Sequence, residues 1–263
     1  MSIPKIIHFC WVSDEPYPED IKRCMDSWAK KLPDYQIKHW NSNNFDINNW
    51  KYAAQALSKK KYAFVSDIVR LYALYTDGGV YLDSDIEVLK SFDNLLDAKA
   101  FTGFESYGRI AAWIMASEKG NPLIKEILDF YRDKDFIDAN GNTDLTPNTV
   151  LLTKILKKHG MKTMDKIQYL DYITIYPERF FCPLNPWTNE INITNDTYCI
   201  HYFKGAWAPP EDRDKHKIIN KLVNIKVPIM LARVIAKFFV VIKYDGLKGV
   251  VREFWTRLKL LFE

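Results

Sequence analysis

Cysteine is scarce in this 263-residue sequence, and its four copies, Cys10, Cys24, Cys182 and Cys199, never fall at a C-x-x-C spacing. The pattern supports neither a disulfide framework nor a paired-thiol centre. Cys10 and Cys199 lie in apolar, strand-like runs and read as buried free thiols, the state expected of a cytoplasmic chain. The first residues, MSIPKIIH, lack a charged segment followed by an apolar core, so no secretory leader is expected there. The sequons at Asn192 and Asn195 would matter only in a secretory compartment. Long hydrophobic runs are missing too. The longest apolar stretch, towards the C-terminus, is interrupted by Arg233 and Lys237 and is too short to cross a bilayer. No internal repeat or low-complexity tract appears.

Apolar and aromatic residues are plentiful. Hydrophobic residues make up 48% of the chain, and its 8 Trp, 15 Tyr and 15 Phe are enough to fill a sizeable core and leave a few faces for a ligand. The length fits one large α/β domain, or a domain with an appendage. A net charge of +4 conceals an asymmetry: residues 213–263 carry twelve Lys/Arg and four Asp/Glu, a balance of +8. The preceding 212 residues carry 25 basic and 29 acidic side chains, a balance of −4.

Periodicity and punctuation divide the chain. Residues 5–12 form a continuous apolar run suited to a central strand. A helix is predicted over 18–31, entered through Glu19-Asp20 and stopped by Leu32-Pro33. Strands follow at 35–41, 100–104, 111–117, 169–176 and 197–203, with helices at 50–58 and 122–131 and another running from Thr146-Pro147 to His159. Strands alternating with helices predict an α/β fold, a single mostly parallel central sheet with helices on both faces, over residues 1–210. Past Pro209-Pro210, residues 211–263 read as a basic amphipathic helical tail divided by Pro228, Gly246 and Gly249. Trp255, Phe238 and Phe239 lie opposite its lysines, which suits an anionic membrane surface. The plainer reading is a set of helices packed on the main domain.

Residues 62–87, YAFVSDIVRLYALYTDGGVYLDSDIE, carry the most information. They read as a helix, a double-glycine turn and a strand. Asp67 and Arg70 are the only charges between Lys61 and Asp77, and their spacing puts them on one helix face. In an extended strand Asp83, Asp85 and Glu87 would share one face, with Val80, Leu82, Ile86 and Val88 on the other. Carboxylates two apart at the end of an apolar strand repel one another unless a cation or donors meet them. A hard divalent ion, its shell completed by nucleotide phosphates, removes that penalty. Taken alone, a D-x-D is more often a solvated pair at a strand end; the buried-looking Asp/Arg pair and the Gly-Gly turn before it favour a site.

On these residues the chain resembles glycosyltransferase family 32, whose sugar-binding region contains a DXD motif. The family includes bacterial capsular and lipopolysaccharide transferases and yeast initiating mannosyltransferases, with clostridial toxin glucosyltransferase domains more distant. The resemblance rests on IPKIIHFCW at 3–11, the AFVSDIVR…GGVYLDSD block at 63–85, TPNTVLLTK at 146–154 and IHYFKGAW at 200–207. It implies a GT-A fold, a nucleotide-sugar donor, Mn²⁺ or Mg²⁺, and transfer with retention of configuration. It further implies that Asp85 ligates the metal directly, with Asp83 reaching it through water or bonding the ribose. Arg70 would meet the diphosphate or the sugar and Asp67 the sugar hydroxyls, although a mutual ion pair is the structural alternative. His201 is implied as a third metal ligand and Trp207 as a loop residue closing over the donor. Tyr202 and Ala206 depart from the family's usual His and Ser. Trp11, at the end of the first strand, is placed to stack on the base, while His8 reads as structural. Asn148 and Thr149 open a helix with free amides, a turn that by resemblance faces the transferred sugar.

The expectation is therefore a retaining, metal-dependent transfer of a hexose or N-acetylhexosamine from a UDP-sugar to a surface-polysaccharide or lipid-linked glycan, at the inner face of the cell membrane. Alternatives are a toxin-like transferase that modifies a protein and a GDP-mannose-dependent mannosyltransferase. Nucleic-acid binding through the tail is disfavoured because its basic residues alternate with Ile, Val, Leu and Phe. A metal phosphohydrolase would need more converging ligands, and the chain has no H-x-D pair.

Overall fold

The first strand, β1 (Ile6–Cys10), lies between β2 (Gln36–Trp40) and β3 (Gly79–Leu82) and runs parallel to both. In this computed structural model the described residues are 2–105, 108–186, 188–204 and 210–259. From β3 the sheet continues through β7 (Ile114–Ser117), β5 (Ala100–Glu105), β9 (Thr174–Tyr176) and β8 (Gln168–Tyr169), with the short β6 (Arg109–Ile110) on β5 and β4 (Ile86–Val88) outside this sheet. The pairings leave β1, β2, β3, β5 and β9 running one way and β7 and β8 the other. The sheet is thus mixed, with most strands running one way, and belongs to an α/β layer structure.

Helices cover both faces because central strands such as Val80, Tyr81 and Leu82 are apolar on both sides. One face carries α2 (Lys51–Ser58), α3 (Tyr62–Thr76), α4 (Pro122–Asp129) and α5 (Asn148–Lys158), whose apolar residues share a core with Tyr81 and Met115. The other face meets α1 (Glu19–Lys31), whose Trp28 packs edge-on against Phe9, and α6 (Glu178–Phe181), whose Phe181 stacks on Phe101. Asn121 caps α4 by accepting from the amides of Leu123 and Ile124.

Two strand expectations are corrected. Residues 169–176 do not form one strand but the hairpin β8–β9, because Leu170 donates back to Ile173 and closes a tight turn. The run at 197–203 shortens to β10 (Cys199–His201) and pairs antiparallel with β4 in a separate two-stranded sheet. The helix expected to begin at Thr146-Pro147 starts instead at Asn148, with Pro147 at the capping position.

The chain divides into two compact units, residues 1–184 with 192–202, and residues 185–191 with 203–263. The second contains α7 (Pro210–Asn224) and α8 (Ile229–Lys259), the latter interrupted at Gly246 where φ is 66°. Ile219 of α7 packs with Ala232 and Ala236 of α8 in a small buried cluster. Among the described residues no helix is long and apolar enough to cross a membrane.

Candidate active site

The turn after α3 sets the site. Gly78 and Gly79 have φ of +71° and +109°, and a Cβ on Gly79 would lie 2.7 Å from the Ile6 carbonyl oxygen. Only glycine fits so close to a neighbouring strand at such an angle. The chain therefore doubles back tightly, and Tyr81 of β3 comes beneath Arg70 of α3, 5.0 Å from ring centre to guanidinium carbon. His8 locks the same turn. The Trp40 indole N–H donates to its Nδ1 at 3.0 Å, so Nε2 carries the proton and donates to the Gly78 carbonyl at 2.7 Å. Its structural role stands.

β3 ends at Leu82, and the D-x-D lies in a turn, not in the extended strand expected. Ile86 N–H donates to the Asp83 carbonyl at 3.2 Å, while Asp83 N–H donates to the Trp113 carbonyl at 2.9 Å. Aspartate and serine suit such turns because their side chains satisfy local backbone groups. The turn also separates Glu87 from the two aspartates. Glu87 sits in β4 and accepts a hydrogen bond from the Tyr202 hydroxyl.

Arg70 joins the two halves of the site. Its Nη1 pairs with Asp67 Oδ1 at 2.9 Å and its Nη2 with Asp83 Oδ1 at 3.1 Å. Burial alone would lower the guanidinium's pKa, but Asp83 and Asp67 hold it raised. Burial pushes the Asp67 carboxyl up to about 6, against the pull of Arg70 and Asn148. Burial likewise raises Asp83, opposed by Arg70. Arg70 Nε, buried, meets no acceptor within the protein.

Across the turn, His201 Nε2 lies 3.2 Å from Asp85 Oδ1. Burial by itself would lower the imidazole's pKa; Asp85 beside it, with Asp83 and Glu105, raises it instead. Ligand atoms of Asp83, Asp85 and His201 all lie within 4.8 Å of one another. Two carboxylates and an imidazole at that separation form a group that could hold a divalent cation. The Trp113 ring lies over His201 at 4.5 Å between centres, and its indole N–H donates to Glu105 at 3.1 Å.

A model of the glycosyltransferase sugar-binding region containing the DXD motif matches residues 18–102, which include both the Asp67/Arg70 pair and the two aspartates. Over that stretch the chain is similar to the DXD-containing glycosyltransferases. It is 29% identical over 131 residues to inositol phosphoceramide mannosyltransferase 3 of Schizosaccharomyces pombe, covering 48% of this chain and 36% of that protein. It is 28% identical over 169 residues to a toxin of Photorhabdus asymbiotica, covering 48% of this chain and 6% of the toxin. The chain thus spans well under two thirds of either relative. Among solved structures, the PaToxG glycosyltransferase aligns with a TM-score of 0.44 at 21% identity, over 60% of this chain and 73% of that one.

Within the first compact unit Asp67, Arg70, Asp83, Asp85 and His201 converge. Asn148, 3% exposed at the start of α5, lies near enough to Asp67 to favour its ionised form, yet neither polar atom of its carboxamide completes a normal hydrogen bond. Thr149 follows it in the first turn, half-buried. Trp11 is not drawn into this cluster by any direct contact described: its indole donates to the Glu15 carbonyl and its ring meets Tyr17 edge-on. Trp207, like Ala206, lies outside the described residues. Sequence reasoning missed Glu105, Trp113 and Tyr81. Tyr81 stood inside the recognised block, but Glu105 and Trp113 reach His201 only through sheet packing that no motif encodes.

Proposed function

We propose that this chain transfers a hexose or N-acetylhexosamine from a UDP-sugar to a glycan or lipid-linked glycan, with retention of anomeric configuration. The observation that carries the reading is the convergence of Asp83, Asp85 and His201 beside a guanidinium with an unmatched buried N–H. Asp83, Asp85 and His201 would hold Mn²⁺ or Mg²⁺, which supplies positive charge against a departing diphosphate. Arg70, fixed by two carboxylates, directs its spare Nε–H to a phosphate oxygen. Asp67 and the Asn148 carboxamide bind hydroxyls of the sugar, near the free amides of the α5 N-terminus. Thr149 supports that turn, and Trp11 stacks on the base at the end of β1. Trp207 would close over the donor.

Because Asp67 is engaged by Arg70, the reading gives no carboxylate the role of nucleophile. The acceptor oxygen instead attacks the anomeric carbon from the face the diphosphate leaves, and its proton passes to a β-phosphate oxygen. A lipid-linked acceptor places the work at the inner face of the cell membrane, outside any secretory compartment.

Incubation with UDP- and GDP-sugars plus Mn²⁺, with and without chelator, tests the reading through nucleotide release and product NMR. UDP release that needs metal and an α-configured product from an α-donor are expected. Preference for GDP-mannose would move the chain towards the activity named for its S. pombe relative. Transfer to protein alone would favour the toxin-like reading, for which the P. asymbiotica relative is the specific support.

A further inference from the structure

In the α7–α8 unit, the small side chains face the partner helix and the large ones face away. Ala232 and Ala236 of α8 are fully buried against Ile219 of α7. Alanines allow close approach of two helices but bury little surface. Meanwhile Met230, Leu231, Val234, Phe238 and Phe239 remain between 51% and 71% exposed. Met230, Val234 and Phe238 recur every four residues, and Leu231 and Ile242 flank them, so they form one broad apolar stripe. A hairpin stabilised by its own interior would turn these bulky residues inward. This one displays them.

The charge around the stripe identifies what covers it. Residues 213–263 carry twelve Lys/Arg and four Asp/Glu, and Lys226, Arg233 and Lys237 are interleaved with the apolar positions. A second copy laid on this face would bring two strongly basic tails together, which like-charge repulsion opposes. An anionic surface neutralises them. The helix before Gly246, residues 229–245, is about 26 Å long at 1.5 Å per residue, shorter than a bilayer's hydrocarbon core and interrupted by charge. It is built to lie along a membrane, not through it.

We infer that α8 lies flat in the surface of a bilayer containing anionic phospholipid, its Met230–Val234–Phe238 stripe at the acyl boundary and the tail's basic residues among the headgroup phosphates. This docking is independent of the transfer chemistry, since none of these residues belongs to the proposed active site.

Flotation of the full-length chain with vesicles tests it. Binding is expected to phosphatidylcholine vesicles that contain phosphatidylglycerol, to be weak on phosphatidylcholine alone, and to fall as salt rises. The double variant Val234→Glu, Phe238→Glu should lower partitioning by more than about tenfold. Nucleotide release with a small soluble acceptor, or simple thermal unfolding if none is found, should stay as in the wild type. Should the glutamates perturb the hairpin by circular dichroism, Met230→Ser with Phe238→Ser removes apolar surface without adding charge and should still weaken binding. The inference is overturned if the wild type does not float with anionic vesicles, or if the variants float equally well. It is also overturned if sedimentation equilibrium finds a dimer that the substitutions dissolve while lipid has no effect, since a second copy would then cover the stripe.

Discussion

Arg70 is structural in its contacts, and the proposed reading also gives it the donor's phosphates to meet. Its two ion pairs tie α3 to the D-x-D turn, and the mutual pairing with Asp67 that sequence reasoning held as an alternative is present. Buried pairs of this kind give little net stability against desolvation, and the proposed reading accordingly gives Arg70 a ligand as well. Asp85→Asn should lower transfer by at least ~100-fold and abolish the Mn²⁺ signal shift in a paramagnetic resonance titration, with an unchanged melting profile. Glu105→Leu tests support from behind: losing the acceptor for Trp113 should loosen the ring over His201 and weaken Mn²⁺ affinity about tenfold. Saturating metal should restore most activity; a variant that fails at all metal concentrations would mean damage beyond His201. His8 offers a pH test. Burial lowers its pKa from 6.5, with Asp77 and Lys38 as the facing charges. The unfolded chain therefore binds a proton that the native state resists, and stability contributed by neutral His8 is present above 6.5 and lost as pH falls below it. Denaturant midpoints measured across that window should fall less steeply for His8→Gln. The aspartates, Arg70 and His201 were legible because motif spacing exposes them. Glu105 and Trp113 were not, since neither lies near His201 in sequence.

Helices were easier to read than strands. α1, α2 and α4 fall within one or two residues of expectation because amphipathic spacing and proline stops mark them. The central strands are short and buried on both faces, so alternation, the usual guide, is absent from them. The D-x-D turn and the β4–β10 pair were missed for the same reason: a run of apolar and acidic residues looks continuous until its hydrogen bonds are seen. The Gly-Gly turn, by contrast, was plain, and its strictness can be measured. Gly79→Ala should destabilise the domain by more than ~1 kcal/mol in chemical denaturation, since both the backbone angle and the contact with Ile6 forbid a methyl. A neutral result would show that the turn relaxes.

At the scale of the whole molecule, sequence composition drew a boundary near residue 210, and the chain's compact units divide at 202–203 with a short excursion over residues 185–191. The excursion has no compositional mark, because a loop that leaves and returns alters neither charge nor periodicity. The two units differ in interior: unit one has an extensive apolar core, whereas α7 and α8 share a small cluster. Amide exchange in α7 and α8 should be at least about a hundredfold faster than in β1 and β3, and slower once anionic vesicles are present. Equal protection without lipid would count against this difference. The return path has a further effect during synthesis. β10, bearing His201, is laid on β4 only after the chain has completed the main sheet and left it. A chain ending before residue 199 would possess both aspartates and Arg70 and still lack the third member of the cluster. Assembly of the proposed metal cluster thus waits on a contact between distant parts of the chain, among the slowest kinds to form.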